Sequence, residues 1–547
     1  MDELLHALAC SSSRRPTTTS LLTPLAKADG GVRPIACPDL IYRLCAKVIL
    51  ATAPLDGALL PCQLGLGSAG GVEPIVLLAQ EVADGKVDGL THVASVDLKN
   101  AYGSLHRGPL SHSTRKHAGS LYRLAKLRYE HAGTMVIASN GEIHTLHASD
   151  GVYQGDPLAG LLFCVGVRPV LEQLLDFLKA RGFNAHVLCY LDDWTIFADR
   201  GGILEAVREF FDELRTNNAH RGLELNLTKS WERSGEQLLE TGQELLGSMI
   251  GGPEARRAFL LRKIGEQTEC LQHLEQLHKQ DAQLLLRRSV QLQLRHLQRL
   301  LPSEGLDDVW TLLDDAYHHS LRLIRDGGAR PRRGAHDSTL FQLPLRLGGL
   351  GVPKHQLIAP HARAAMEQSS FFLLREVLPS LWPDHAVSSD GDEAQFTPQA
   401  KRVEFEYKRL DDALMEKLSL EEAQTVVANG DRLGSTCLQT FPIDARTTLS
   451  DRQVQVTLHN RTLLRAAAPL CPDCTLPNSH GHDDDCGDRP HRRTVRHDNS
   501  KNLFVAALRR VKGVRVNAEP RIEEQSMRRT DWRVHGSAAA GGGGDTD

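Results

Sequence analysis

Long apolar runs are missing from this 547-residue chain, and no stretch reaches the roughly 20 consecutive apolar residues that a membrane span requires. The N-terminal MDELLHALACSSSRRPTTTS begins acidic, and its apolar stretch is too short for the core of a signal peptide, so secretion is not expected. A basic surplus is absent too. The formal net charge is −4, and the whole molecule lacks the footprint of a general nucleic-acid binder. That excludes little, because Lys and Arg can line one groove while carboxylates crowd elsewhere. A disulfide framework is also lacking: Cys10, Cys37, Cys45, Cys62, Cys164, Cys189, Cys270 and Cys437 are scattered and read as reduced core residues of an intracellular protein.

What is present is ordinary for a globular protein, with 41% apolar and 24% charged residues. The length suggests about three or four domains. Residues 21–60 read as short extended pieces followed by a helix, and the Gly-Gly of LAKADGGVRPIAC marks a tight turn in a hairpin carrying Lys27 and Arg33. THVASVDLKNAY (91–102) is a β-rich run that ends in an acidic residue and passes into a helix-compatible stretch. HVLCYLDDWTIFA (186–198) has two apolar β-prone runs around an Asp-Asp pair, the pattern of a hairpin with carboxylates at its tip. From about 253 to 325 the chain turns Leu-rich and helical, with Arg287, Arg288, Arg295 and Arg299 along it, either a solvated basic face or a nucleic-acid contact. Residues 384–398 are polar with Gly and Pro and read as a linker, and the terminal GSAAAGGGGDTD lacks the apolar content to pack.

The chemistry sits with the carboxylates. Nucleotidyl transfer needs a hydroxyl activated and a pyrophosphate stabilised, which two Mg²⁺ ions about 3.5–4 Å apart do together, and hard cations take carboxylate oxygens. Asp97 stands at a strand end, and Asp192 and Asp193 stand in an inter-strand turn, where adjacent strands can bring them together. Alone, an Asp-Asp pair in a turn is usually solvated turn chemistry. The companions decide the matter.

YLDD at 190–193 matches the Y-x-D-D signature of reverse transcriptases, and DLKNAY at 97–102 matches their first catalytic segment. The resemblance continues in order. LAKADGGVRPIA (25–36) resembles the fingers hairpin of non-LTR retrotransposon enzymes, and GVYQGDPLAGLLF (151–163) resembles their Q-G-D-P-L segment. LELNLTKS (223–230), ELLGSMIGG (244–252) and LPLRLGGLGV (343–352) are similar to later segments of such elements. Six or more ordered matches over roughly 330 residues do not arise by coincidence.

The resemblance implies an RNA-directed DNA polymerase that adds deoxynucleotides to a DNA primer on an RNA template. It implies an α+β right-hand fold, with fingers and palm over 21–252 after an N-terminal tail (1–20), a helical thumb over 253–330 and a helical connection region over 331–460. Asp97, Asp192 and Asp193 would hold the Mg²⁺ ions, Asp193 less directly, with the Leu98 carbonyl nearby. Tyr102 would sit beneath the sugar and oppose a 2′-hydroxyl. Gln154 would line the nucleotide pocket, with Gly155 and Pro157 shaping a close backbone approach. Lys27 and Arg33 would hold the triphosphate, and Lys229 would act as an acid toward pyrophosphate. Each has a plainer alternative: Tyr102 as a core aromatic, Gln154 as a turn residue, Lys27 and Arg33 as solubilising charges. Many non-LTR enzymes carry Ala where Leu191 stands, a variable position that leaves the metal site intact.

Within 461–495, CPDCTLPNSHGHDDDC places Cys471, Cys474, His482 and Cys486 at C-x2-C-x7-H-x3-C spacing, suited to tetrahedral Zn²⁺, with His480 as an alternative third ligand. The plainer alternative is a His-rich loop with incidental cysteines. A comparable knuckle follows the polymerase in many non-LTR elements. Residues 496–522 resemble the opening of the restriction-like nuclease of site-specific elements, and RTDWRV (529–534) resembles its first metal-binding strand, with Asp531 as the carboxylate. The chain then dissolves into GGGGDTD, so the expectation over 496–547 is a truncated nuclease without cleavage. The family also implies an intracellular, nuclear protein with RNA template, DNA target and deoxynucleoside triphosphates as partners and no membrane. The rival readings are a group II intron maturase, an RNA-dependent RNA polymerase, and a silent relic that only binds nucleic acid. Tyr102 speaks against ribonucleotides, and the knuckle and nuclease-like tail speak against a maturase.

Overall fold

The computed structural model describes residues 19–26, 30–68, 70–327, 331–381, 398–445, 447–464, 514–518 and 532–536. It divides into two compact units that alternate along the chain: the first takes residues 1–272, 288–316 and 354–406, the second 273–287, 317–353 and 407–547. The stretches expected as thumb (253–330) and connection (331–460) therefore each contribute to both units.

In chain order the main strands of the first unit are β1 (Thr19–Ala26), β2 (Val32–Pro38), β3 (His92–Val96), β4 (Gly133–Ser139), β5 (Glu142–Ala148), β6 (Ala185–Tyr190), β7 (Asp193–Ala198) and β8 (Trp231–Ser234). Its main helices are α1 (Leu40–Thr52), α2 (Val72–Ala83), α3 (Arg107–His117), α4 (Gly119–Tyr129), α5 (Ala159–Ala180), α6 (Ile203–Thr216) and α7 (Pro253–Leu274). The strands form two sheets, β2-β1-β4-β5 and β6-β7-β3-β8. The first contains the expected hairpin, with Leu25 opposite Arg33.

The second sheet is covered on both faces, and the period of two along β7 sorts its side chains. Trp194, Ile196 and Ala198 join a core built with α5 and α6, whereas Phe197 joins another with Val93, Leu188 and the buried α2. Helix α6 supplies Ile203, Ala206, Val207, Phe210, Phe211 and Leu214, an apolar stripe at helical spacing. This double cover fixes the strand register, because a one-residue slip would send every side chain to the wrong face. Of the four thumb arginines, Arg299 forms a charge-assisted pair with Glu73, its Nη2 donating to Oε2 at 2.8 Å. At Arg299, then, the basic stretch carries a structural ion pair.

In the second unit, Leu340, Leu343, Leu414, Val426 and Leu463 form a small core. Buried Arg461 donates to the carbonyls of Gly349 and Asn429, each at 2.8 Å, and pins the LPLRLGGLGV segment. Val514–Ala518 and Trp532–Gly536 pair as antiparallel strands. No described helix is long and apolar enough to cross a membrane.

Candidate active site

The β6–β7 hairpin turns through Leu191 and Asp192, with Tyr190 opposite Asp193. Val96 of β3 pairs with Trp194. Continuing that register by one residue sets Asp97 beside Asp193, so three carboxylates gather at one end of the sheet. Asp97 is held by its neighbours. Its backbone N–H donates to Ser230 Oγ at 2.9 Å, and its Oδ2 accepts from Asn226 Nδ2 at 2.7 Å. Asn226 N and Lys99 N donate to the carbonyls of Asp97 and Glu224, flanking the Leu98–Leu225 bridge and leaving the Leu98 carbonyl outside those two bonds.

Charge and burial act on Asp192 and Asp193. Lost hydration raises the pKa of Asp192 first, the Asp97 charge adds to it, and Arg33 pulls it down. Asp193 is pushed up to about 6 by lost hydration, then by Asp192 and Asp97. These couplings place Arg33 of β2 within charge range of the turn. Among the described residues, however, no three Asp, Glu, His or Cys side chains converge closely enough to hold one ion. The donor set, three carboxylates and the Leu98 carbonyl, still has the hard-oxygen chemistry that Mg²⁺ takes.

Tyr102 lies on the one-turn helix Ala101–Ser104 and stacks on Phe163 of α5, with ring centroids 4.7 Å apart and planes 9° from parallel. Burial raises its phenol pKa, and Asp192, Cys164 and Asp193 add to the rise, which places the ring beside the acidic turn. Val152 N donates to the Tyr102 carbonyl at 2.8 Å, tying the ring to the segment that carries Gln154. The Gln154 carbonyl accepts from Ala36 N at 2.6 Å, while its side-chain Oε1 is buried with no hydrogen-bond partner. Gly155 has φ +104°, and a Cβ there would stand 3.0 Å from the Ala36 carbonyl oxygen, so the close approach to β2 requires glycine.

The turn after Gln154 rests on a buried network that sequence reasoning missed. Asp156 accepts from the Tyr42 and Tyr129 hydroxyls at 3.0 and 2.7 Å and pairs with Arg128, both charged side chains being fully buried. It ties α1 and α4 to the QGDP turn. Asn226, Phe163 and Gln63 were missed as well. Gln63 holds Leu191, accepting from its N–H at 2.8 Å and donating to its carbonyl at 3.2 Å. Asn226 and Phe163 lay inside quoted segments, and Gln63 lay outside them all.

Lys229 is exposed on the turn that follows Asn226. Lys27, Cys471, Cys474, His480, His482, Cys486 and Asp531 lie outside the described residues, as do residues 384–397 of the expected linker.

Residues 25–243 match the family model of reverse transcriptase (RNA-dependent DNA polymerase). Among curated protein sequences none matches the chain. Of solved structures, apo telomerase from Candida tropicalis is 12% identical with a TM-score of 0.37, over 69% of this chain and 68% of that one. The same telomerase truncated from its C-terminal domain is 15% identical with a TM-score of 0.32, over 43% of this chain and 53% of that one, so the chain spans about half its length. The RNA-dependent RNA polymerase of a human picobirnavirus is 15% identical with a TM-score of 0.28, over 42% and 44%. Likenesses this remote say nothing of substrate or partner.

Proposed function

We propose, from the premise that residues 25–243 form a reverse transcriptase domain, that this chain is an RNA-directed DNA polymerase of the non-LTR retrotransposon type. The observation that carries the reading is the gathering of Asp97, Asp192 and Asp193 at one end of the β6-β7-β3-β8 sheet, where Tyr190 pairs with Asp193 and Val96 with Trp194. Asp97, Asp192, Asp193 and the Leu98 carbonyl would hold Mg²⁺, which supplies charge stabilisation for nucleotidyl transfer. The remaining roles fall to the protein itself. Arg33, within charge range of Asp192, would meet the triphosphate, with Lys27 of the same hairpin. Tyr102, held flat by Phe163, would stand under the sugar and exclude a 2′-hydroxyl. The unpaired Gln154 Oε1 would accept a hydrogen bond from the nucleotide or its partner strand.

The non-LTR assignment rests on the ordered segments from 25 to 352, and with it come a fingers, palm and thumb division, a nuclear site of action and a DNA target. Cys471, Cys474, His482 and Cys486 would hold a structural Zn²⁺, and Asp531 would be a nuclease remnant.

The test is primer extension on an RNA template with Mg²⁺. The native chain should extend with deoxynucleotides, and Asp192→Ala should lose about 10³-fold in rate, the equivalent of several kcal/mol of charge stabilisation. Absence of extension by folded native protein would overturn the assignment and favour a relic that only binds nucleic acid.

A further inference from the structure

We propose that Gln63 is a positioning residue for the catalytic turn, its side-chain amide serving as the peptide rung that the palm sheet lacks at Leu191; the proposal deepens the polymerase reading and rests on it. Residues 62–64 lie alongside β6 like a short parallel strand. Cys189 N donates to the Cys62 carbonyl at 2.8 Å, Leu64 N donates to the Cys189 carbonyl at 2.7 Å, and Gln63 bridges Cys189 in parallel. The regular next rung would join the backbone after Leu64 to Leu191. The Gln63 side chain takes that place, with Oε1 accepting from Leu191 N at 2.8 Å and Nε2 donating to the Leu191 carbonyl at 3.2 Å. Gly65 N also donates to Oε1, at 3.4 Å. Gln63 is 4% exposed, so water does not compete for these bonds.

The clamp is placed where the backbone most needs it. Leu191 has φ +58°, a left-handed conformation that a branched apolar residue adopts only when its surroundings impose it. Asp192 and Asp193 follow directly, so the direction of both carboxylates depends on this one residue. Gly65 completes the cradle, since a Cβ there would lie 2.6 Å from Leu191 N and 2.8 Å from its Cγ. The side-chain hydrogen bonds of Gln63 go to Leu191 and Gly65. It acts by holding Leu191, and through Leu191 the aspartates.

The test compares full-length native protein, Gln63→Met and Gln63→Met/Leu191→Gly. Methionine keeps the length and loses both hydrogen bonds, and glycine takes φ near +58° without steric cost. Gln63→Met should lower kcat about tenfold, with KM for primer–template unchanged. Titration of Mn²⁺ alone, followed by electron paramagnetic resonance without turnover, should show binding weakened by a similar factor. Adding Leu191→Gly should recover part of both losses, which a packing role for Gln63 would not allow. Unchanged kcat and Mn²⁺ binding in Gln63→Met, absence of recovery in the double variant, or loss of the folded state by circular dichroism would each overturn the positioning role. If the native protein itself fails to extend, the polymerase reading falls instead, and the Mn²⁺ titration still decides whether Gln63 orders the turn.

Discussion

Single residues at the acidic turn set a pH dependence whose sign can be worked out. Asp193 is pushed up to about 6, above an ordinary carboxylate, so the folded state favours its protonated form. Its charge therefore costs stability that is absent at low pH and appears as pH rises through the folded value. In metal-free buffer, Asp193→Asn should raise Tm at pH 8 and leave it unchanged at pH 4. Cation binding needs the ionised form, so Mn²⁺ affinity of the native protein should rise between pH 5 and 7, and a flat profile would discount the Asp193 assignment. Tyr102 gives a second residue-level expectation. Tyr102→Val removes the ring that Phe163 holds flat. Discrimination against ribonucleotides should fall by about 10- to 100-fold in kcat/KM, the range that a change in pocket shape commands.

Elements, rather than residues, decide what the sequence could not tell. The hairpin at 186–198 was legible because two apolar β-prone runs flank an Asp-Asp pair, and Asp97, Asp192, Asp193, Tyr102 and Gln154 could be singled out because their motifs name them. The partners that hold these groups were not. Gln63 lies 128 residues from Leu191, and Asn226 lies 129 residues from Asp97. An amide side chain in a sequence does not announce which distant backbone it will meet. The same holds for Arg128, whose charge reads as helix surface until α4 packs against the QGDP turn. Arg128→Met leaves the Asp156 charge buried without its cation and should cost about 3–5 kcal/mol in urea unfolding. The pair Arg128→Met with Asp156→Asn should cost less than the sum of the two changes. Simple additivity would mean that the two side chains do not support each other.

At the scale of the whole molecule, a net charge of −4 sits beside a reading that requires nucleic-acid binding. Binding must then come from local cations along one groove, and it should be steeply salt-dependent and indifferent to sequence. If about six phosphates are neutralised, primer–template affinity should fall about 10³-fold between 50 and 200 mM salt, and a shallow dependence would speak against such a groove. Apolar residues near helical spacing marked 253–325 as helical, but not which body each part joins, and the two units trade the chain back and forth there. A single break anywhere between residues 288 and 353 would leave neither unit whole. Exchanging one flank of this region as a cassette, by recombination or by design, would therefore sever two folding bodies at once.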